Sequence, residues 1–315
     1  MTPFQNILVV IDPSTDDQKA LKRAIELTSK INAQTPQPIN ITLFLCVFDL
    51  SYELTSMLSS SERENMRSAV IQDRKLWLKS LVDNLVLITA NLTFEVVWHR
   101  RPYEVIIEEA INNQYDLIIK STHQHDRLKS IIFTPTDWHL LRKCPAPLLL
   151  VKEHNWPQNG NIIAAVNIGS DEDEHQSLNN KITEGSQYLA DIIEGNVHLV
   201  NAYPGSPVNI SIEIPEFDSR EYTKTMLHHH EKSMAKHANT FSIEQENTHV
   251  VEGLPEVVIE KITGDLDAEL VVLGTIGRTG LSAALIGNTA EQVIDSLNCD
   301  LLAIKPKGYV SPLQK

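Results

Sequence analysis

Residues 268–305, AELVVLGTIGRTGLSAALIGNTAEQVIDSLNCDLLAIK, decide how the rest of the chain is read. Leu270 to Leu273 is an apolar run of strand length. It is followed by Gly274, Gly277 and Gly280, then by Gly287, Asn288 and Thr289 at the start of a helical pattern, and finally by a second apolar run, Leu301 to Ile304. Glycine admits positive φ and lets backbone N–H groups come close to a ligand, and a helix N-terminus adds unpaired donors and a partial positive charge. The stretch thus reads as strand, anion-accepting loop, helix, strand. A Gly-x-x-Gly after a strand also marks an ordinary tight turn, so the phosphate reading needs the wider spacing for support.

Outward from this stretch, the same alternation fills the chain. Asn6 to Ile11 (NILVVI) is an apolar run ending in Asp12-Pro13-Ser14, as expected of a central parallel strand that feeds a loop and a helix. A helix over 18–32 places Ala20, Leu21, Ala24, Ile25, Leu27 and Ile31 on one side, and Ile41 to Phe48 is a second strand. The pattern continues with a long helix over about 62–87 with Ala69, Leu76 and Leu81 inward, and a strand at Leu92 to Trp98. A helix over Pro102 to Asn113, a strand at Leu117 to Ile119, a helix ending at Trp138 to Lys143 and a strand at Leu148 to Val151 complete the half. After the polar segment Lys152 to Gly160 the order restarts. Asn161 to Val166 repeats Asn6 to Ile11 at an offset of 155 residues, and Pro102, Asp116, Leu148 and Lys152 fall on Pro255, Glu269, Leu301 and Lys305 at an offset of 153. The prediction is an α/β fold of two tandem domains, each a doubly wound five-stranded parallel sheet. Domain 1 covers 1–153, a linker 154–160, domain 2 161–305 and a tail 306–315. In such sheets ligands bind beyond the carboxyl ends of the strands at the topological switch point, so the ends of strands one, two and four are the places to inspect.

Composition narrows the function. No apolar run approaches the roughly 20 residues that cross a bilayer, and Met1 to Asp12 has no basic stretch ahead of a long apolar one, so neither membrane insertion nor a signal peptide is expected. Three scattered cysteines, Cys46, Cys144 and Cys299, make no metal spacing and suit the reducing cytoplasm. Net charge is −14, of which residues 1–153 carry −1 and 154–315 carry −13. Nucleic acid is therefore excluded as a partner of the second half, because phosphate contacts need clustered Lys and Arg.

Gly274, two residues, Gly277, nine residues, Gly287 and a small polar residue resemble the adenine-nucleotide loop of the universal stress protein family, and the resemblance runs through nearly the whole chain twice, as in its tandem type. It implies a stress-response binding protein whose halves form an intramolecular pseudo-dimer through their last strands, Leu148 to Val151 and Leu301 to Ile304, with a further homodimer left open. It also implies an acidic residue after strand one, a small apolar residue after strand two and the glycine loop after strand four. The first half keeps Asp12 and Val47 but reads Ser121, Thr122, His123 and Gln124 in the loop, then Thr134-Pro135-Thr136, without glycine: a degenerate site. The second half keeps Gly274, Thr275, Gly277, Arg278, Gly287 and Thr289, while Asn167, Ala202 and Asn288 stand where the family has aspartate, valine and serine or threonine. These nine residues form the expected site for a phosphate-bearing small molecule, ATP or another nucleotide-type ligand. Asn167 both donates and accepts, so selectivity for adenosine is expected to be weak.

Two other readings stay open. Val208, Ile210, Ile212 and Ile214 alternate with polar residues between Pro204 and Pro215, which suits either packing within the fold or a flap over an acylated, nucleotide-linked ligand. Weak ATP hydrolysis is the other, although no Walker A sequence occurs and Arg278 alone supplies positive charge in the loop. No catalytic residue and no metal site is expected. Among His228, His229, His230 and His237 no pair has the spacing of three or four that places two ligands on one helix face, and His123, His125 and Asp126 fall in the degenerate loop.

Overall fold

A computed structural model describes residues 4–34, 38–54, 59–83, 90–124, 131–132, 134–152, 156–169, 172–206, 218–275, 294 and 297–314, with main chain alone for 53–54, 123–124 and 131–132. The chain divides into two compact units, one of 2–152 with 310–315 and one of 153–309. Of the segment 154–160, expected as a linker, the described residues 156–160 pack within the second unit. Trp156 is buried, Asn159 N–H donates to Glu194 O, and Gly160 O accepts from Asn196 N–H.

The first unit runs β1 (Asn6–Val10), α1 (Lys19–Gln34), β2 (Ile39–Val47), α2 (Leu50–Leu54), α3 (Ser60–Asp83), β3 (Ala90–Trp98), α4 (Pro102–Asn113), β4 (Leu117–Ser121), β5 (His123–Gln124), β6 (Ile131–Ile132), α5 (Pro135–Lys143) and β7 (Leu148–Val151). Its sheet has the order β3-β2-β1-β4-β7, parallel throughout. The central strands are apolar along their whole length because helices cover both faces: Ile7, Leu8 and Val9 are fully buried, as are Ile118 and Ile119. Asp116 starts β4 in register, its carboxylate accepting from the N–H groups of Gln5 and Asn6 at 2.9 Å.

The second unit repeats the plan with β8 (Asn161–Ala165), α6 (Asp173–Ile193), β9 (Asn196–Tyr203), α7 (Ser219–Thr240), β10 (Thr248–Glu252), α8 (Pro255–Asp265), β11 (Leu270–Gly274) and β12 (Asp300–Ile304). Its sheet order, β10-β9-β8-β11-β12, is the same and also parallel. The duplication holds residue by residue where the offset is constant. Pro102 and Pro255 both open a helix, and Asp116 N–H donates to Asn6 O as Glu269 N–H donates to Asn161 O.

Two expectations need correction. In α3 Ala69 and Leu76 face solvent, Leu76 at 66% exposure, and Leu81 is half-buried, whereas Leu78 is buried. Leu78 is the buried residue, with Arg67, Val70, Ile71, Arg74 and Leu81 half-buried beside it. Arg67 sits 5.9 Å over the Trp98 ring and Arg74 5.7 Å over Trp77. The loop after β4 is not plain coil either: β5 and β6 pair antiparallel, His123 with Ile132 and Gln124 with Ile131.

Candidate functional site

In each unit the first strand lies between the second and fourth, so the chain leaves its carboxyl end in opposite directions on either side and opens a crevice. Ala165 is in register with both Val200 and Leu273, which brings Asn167, Ala202 and Gly274 to one edge of the second unit. Val10 is in register with Phe44 and Lys120, which does the same for Asp12, Val47 and Ser121 in the first. Gly277, Arg278, Gly287, Asn288 and Thr289 lie outside the described residues, as do Val208 to Ile214, His125 and Asp126.

The loop after β8 is held by Asn179 and Asn201, which sequence reading missed, and by His230, which it had weighed only as a metal ligand. Asn179, on α6, accepts from Asn167 N–H at 2.9 Å and donates to Asn167 O at 2.8 Å, leaving the Asn167 side chain exposed. Asn201 is buried at a core position of β9. Its Oδ1 accepts from Ile168 N–H at 3.2 Å and its Nδ2 donates to His230 Nδ1 at 2.9 Å. That acceptor role places the His230 proton on Nε2. The ring stacks on Tyr203 at 5.3 Å and presses on Gly169, where a Cβ would stand 2.2 Å from His230 Cε1. Burial, with His229 beside it, lowers the His230 pKa and keeps the ring neutral. A polar residue at a core position of β9 was the legible signal for Asn201. Asn179 gave none, since its face of α6 is decided by packing.

Gly274 is explained by packing. A Cβ there would stand 2.4 Å from Leu178 Cδ2, so the glycine lets α6 lie against the end of β11. Thr275 follows, buried, its N–H donating to Ile304 O at 2.9 Å and its hydroxyl without a hydrogen-bond partner among the described residues. Lys305, also buried, reaches Thr275 O at 3.4 Å and lies 4.7 Å over the Tyr309 ring.

The first unit has the opposite arrangement. Thr122, the counterpart of Thr275, spends its hydroxyl on Val151 O at 3.2 Å. Asp12 serves its own loop, accepting from Ser14 N–H at 2.9 Å and Ser14 Oγ at 2.6 Å, while Gln18 bonds both Asp12 N–H and Asp12 O. At the N-terminus of α5, Asp137 accepts from Thr134 N–H at 2.7 Å and from its hydroxyl at 2.8 Å, completing a capping box. Lys120, from the end of β4, meets the other oxygen of this fully buried carboxylate at 2.8 Å. The helix end is thus neutralised by the protein's own anion.

Three histidines of the second unit bond within it: His237 Nε2 bonds Thr183 Oγ1 at 2.8 Å, and His198 Nδ1 meets His249 Nε2 at 3.2 Å across β9 and β10. Among the described residues no group of three or more His, Cys, Asp or Glu side chains converges on a metal position.

Two duplicated parallel units, each with its first strand between the second and the fourth, define a tandem α/β protein of the doubly wound class. The universal stress protein family matches residues 3–152 and again 162–305, and the chain belongs to that family of stress-response proteins. It is 49% identical over 315 residues to universal stress protein E of Salmonella typhi, covering 100% of this chain and 98% of the relative, and 48% identical over the same shares to universal stress protein E of Escherichia coli (strain K12). Among solved structures, a putative universal stress protein from Pseudomonas aeruginosa UCBPP-PA14 superposes with a TM-score of 0.68 at 31% identity, over 96% of this chain and 94% of the other. The functionally unknown protein PA1789 of Pseudomonas aeruginosa PAO1 gives 0.70 at 29%, over 96% and 93%.

Proposed function

We propose that the chain is a cytoplasmic, non-enzymatic stress-response protein that binds one phosphate-bearing small molecule, in its second unit alone. The phosphate would lie on the glycine loop from Gly274 to Gly277 and on the helix start at Gly287 to Thr289, with Asn167 and Ala202 toward the remainder of the ligand. The observation that carries this reading is the contrast at the two loop mouths. Thr275 has a buried hydroxyl without a hydrogen-bond partner among the described residues and Lys305 reaches its carbonyl, whereas in the first unit the Thr122 hydroxyl bonds Val151 O and Lys120 pairs with Asp137. Asn167 offers a ligand a neutral hydrogen bond worth about 1 kcal/mol where a carboxylate would offer about twice that, so adenosine gains no special advantage. The three free cysteines fit a reducing compartment, and no helix among the described residues is long and apolar enough to cross a membrane.

Calorimetric titration of the wild type and of Gly277→Gln with ATP, a uridine diphosphate sugar and an acylated form of that sugar tests the reading. One site per chain, lost on Gly277→Gln and without preference for ATP, is the expected result. Two sites per chain, or binding that survives the substitution, overturns it.

A further inference from the structure

Residues 154–315 hold 10 lysines and arginines against 23 aspartates and glutamates, yet three of those ten meet where β11 and β12 end. Lys305 follows β12, and its Nζ reaches Thr275 O at 3.4 Å. Lys181, half-buried on α6, donates from its Nζ to Lys305 O at 3.3 Å. Lys307 is exposed two residues further on, and its charge acts on Lys181. Among the described residues neither Lys181 nor Lys307 forms an ion pair. Burial lowers the Lys181 pKa most and the Lys307 charge lowers it next, while Glu184, one turn along α6, opposes them with a smaller effect. Positive charge thus stands unbalanced here in a half that is otherwise acidic. The first unit shows that the fold does not require it. Thr28 of α1 and Thr183 of α6 are both buried, and each hydroxyl donates to the carbonyl four residues back, Ala24 O and Asn179 O, which aligns the two helices at an offset of 155 residues. At that offset Lys181 stands where α1 has Glu26, a carboxylate met by Arg23 at 2.7 Å and by Lys30 at 3.3 Å.

We propose that Lys181 and Lys307 hold a second phosphate of the ligand of the second unit, which makes that ligand a diphosphate or longer rather than a monophosphate. The inference rests on the reading that a phosphate-bearing molecule binds there. Register puts the lysines at that edge: Gly274 pairs with Ile304, so Thr275 and Lys305 leave the sheet side by side where the glycine loop begins. An ammonium held half out of water beside a like charge gains more from an arriving anion than a fully solvated one, because its attraction is screened less. Lysine acts toward phosphate as a mobile point charge, so two of them follow a phosphate chain without fixing what lies beyond it.

The test is calorimetry on the full chain with AMP and ADP, and with UMP and UDP, at two salt concentrations. Each diphosphate is expected to bind about ten-fold tighter than its monophosphate, with the advantage shrinking as salt screens the lysines. Lys181→Gln combined with Lys307→Gln is expected to bring the diphosphates down to the affinity of the monophosphates, whose own binding stays as it was. The melting temperature of this variant should hold or rise, since a repulsion is removed. Lys232→Gln combined with Lys261→Gln, on α7 and α8, changes the net charge equally and should leave the diphosphate advantage intact. Equal affinity for mono- and diphosphates, an advantage that survives the change at 181 and 307, or one lost equally on the change at 232 and 261 overturns the proposal. In each of these cases monophosphate binding that disappears on Gly277→Gln would leave the glycine-loop reading standing. A wild type that binds none of the four compounds overturns both.

Discussion

At the scale of the residue, the loop after β8 is shaped by side chains that hold its backbone. Asn201 satisfies both Ile168 N–H and His230 Nδ1 from a core position of β9. Asn201→Leu, of similar volume, is expected to cost about 2–3 kcal/mol in chemical denaturation, because it strands two buried polar groups rather than removing a balanced pair. Gly274 shows how one glycine can carry two meanings. Its spacing is what makes the loop read as a phosphate cradle, yet the atom its missing side chain would strike is Leu178 Cδ2. Gly274→Ala should therefore lose about 1–3 kcal/mol by overpacking, and Leu178→Ala in the same chain should recover part of that loss. Additive effects in that double-mutant cycle would show that the two residues do not meet.

At the scale of the element, α5 shows how the first unit fills its own helix end. Its N-terminus corresponds in sequence to residues 287–289 of the second half, where the sequence predicts a helix start; in the first unit Asp137 occupies it and Lys120 balances the charge. Asp137→Ala is expected to destabilise the first unit by about 3–5 kcal/mol, since it leaves the Lys120 ammonium buried without its partner. Lys120→Met combined with Asp137→Asn removes both charges and keeps an acceptor for Thr134 N–H, so it should recover most of that stability. Denaturation midpoints of the three proteins decide it, and a double variant as unstable as the single one would mean that the ion pair, not the cap, holds the helix. Helix α3 carries a different lesson: apolar spacing gave a phase with Leu76 inward, but Leu78 is the buried residue and Arg67 lies over Trp98 of β3.

At the scale of the whole molecule, the histidines make stability depend on pH, and unevenly. His139, His198, His230, His237 and His249 all have pKa values lowered, with burial the leading cause for each. Their unfolded pKa is about 6.5, so below that value the unfolded chain binds more protons than the folded one. Stability is therefore complete above about pH 6.5 and falls as the pH drops from there through the folded pKa values. Four of the five belong to the second unit. Calorimetric scans are expected to show its transition moving to lower temperature between about pH 6.5 and 5 while that of the first unit moves less. Parallel shifts of both transitions, or none, would contradict this assignment.

The alternation of apolar runs with helical patterns, the restart at Asn161 and the fixed offset from Pro102 to Pro255 are properties of order along the chain. They determined two parallel five-stranded units with the same strand order, because strand and helix periods and short connections leave few alternatives. Which atoms stand beside one another across that order was decided only by the tertiary structure. Asn179 clasps Asn167 from the second turn of α6, whereas Gln18 does the same work for Asp12 from just before α1, so equivalent contacts come from positions that no constant offset relates. Lys120 finds Asp137, and Gly274 meets Leu178, for the same reason: hydrogen bonding and close packing act through distance in space, and the sequence carries distance only along the chain.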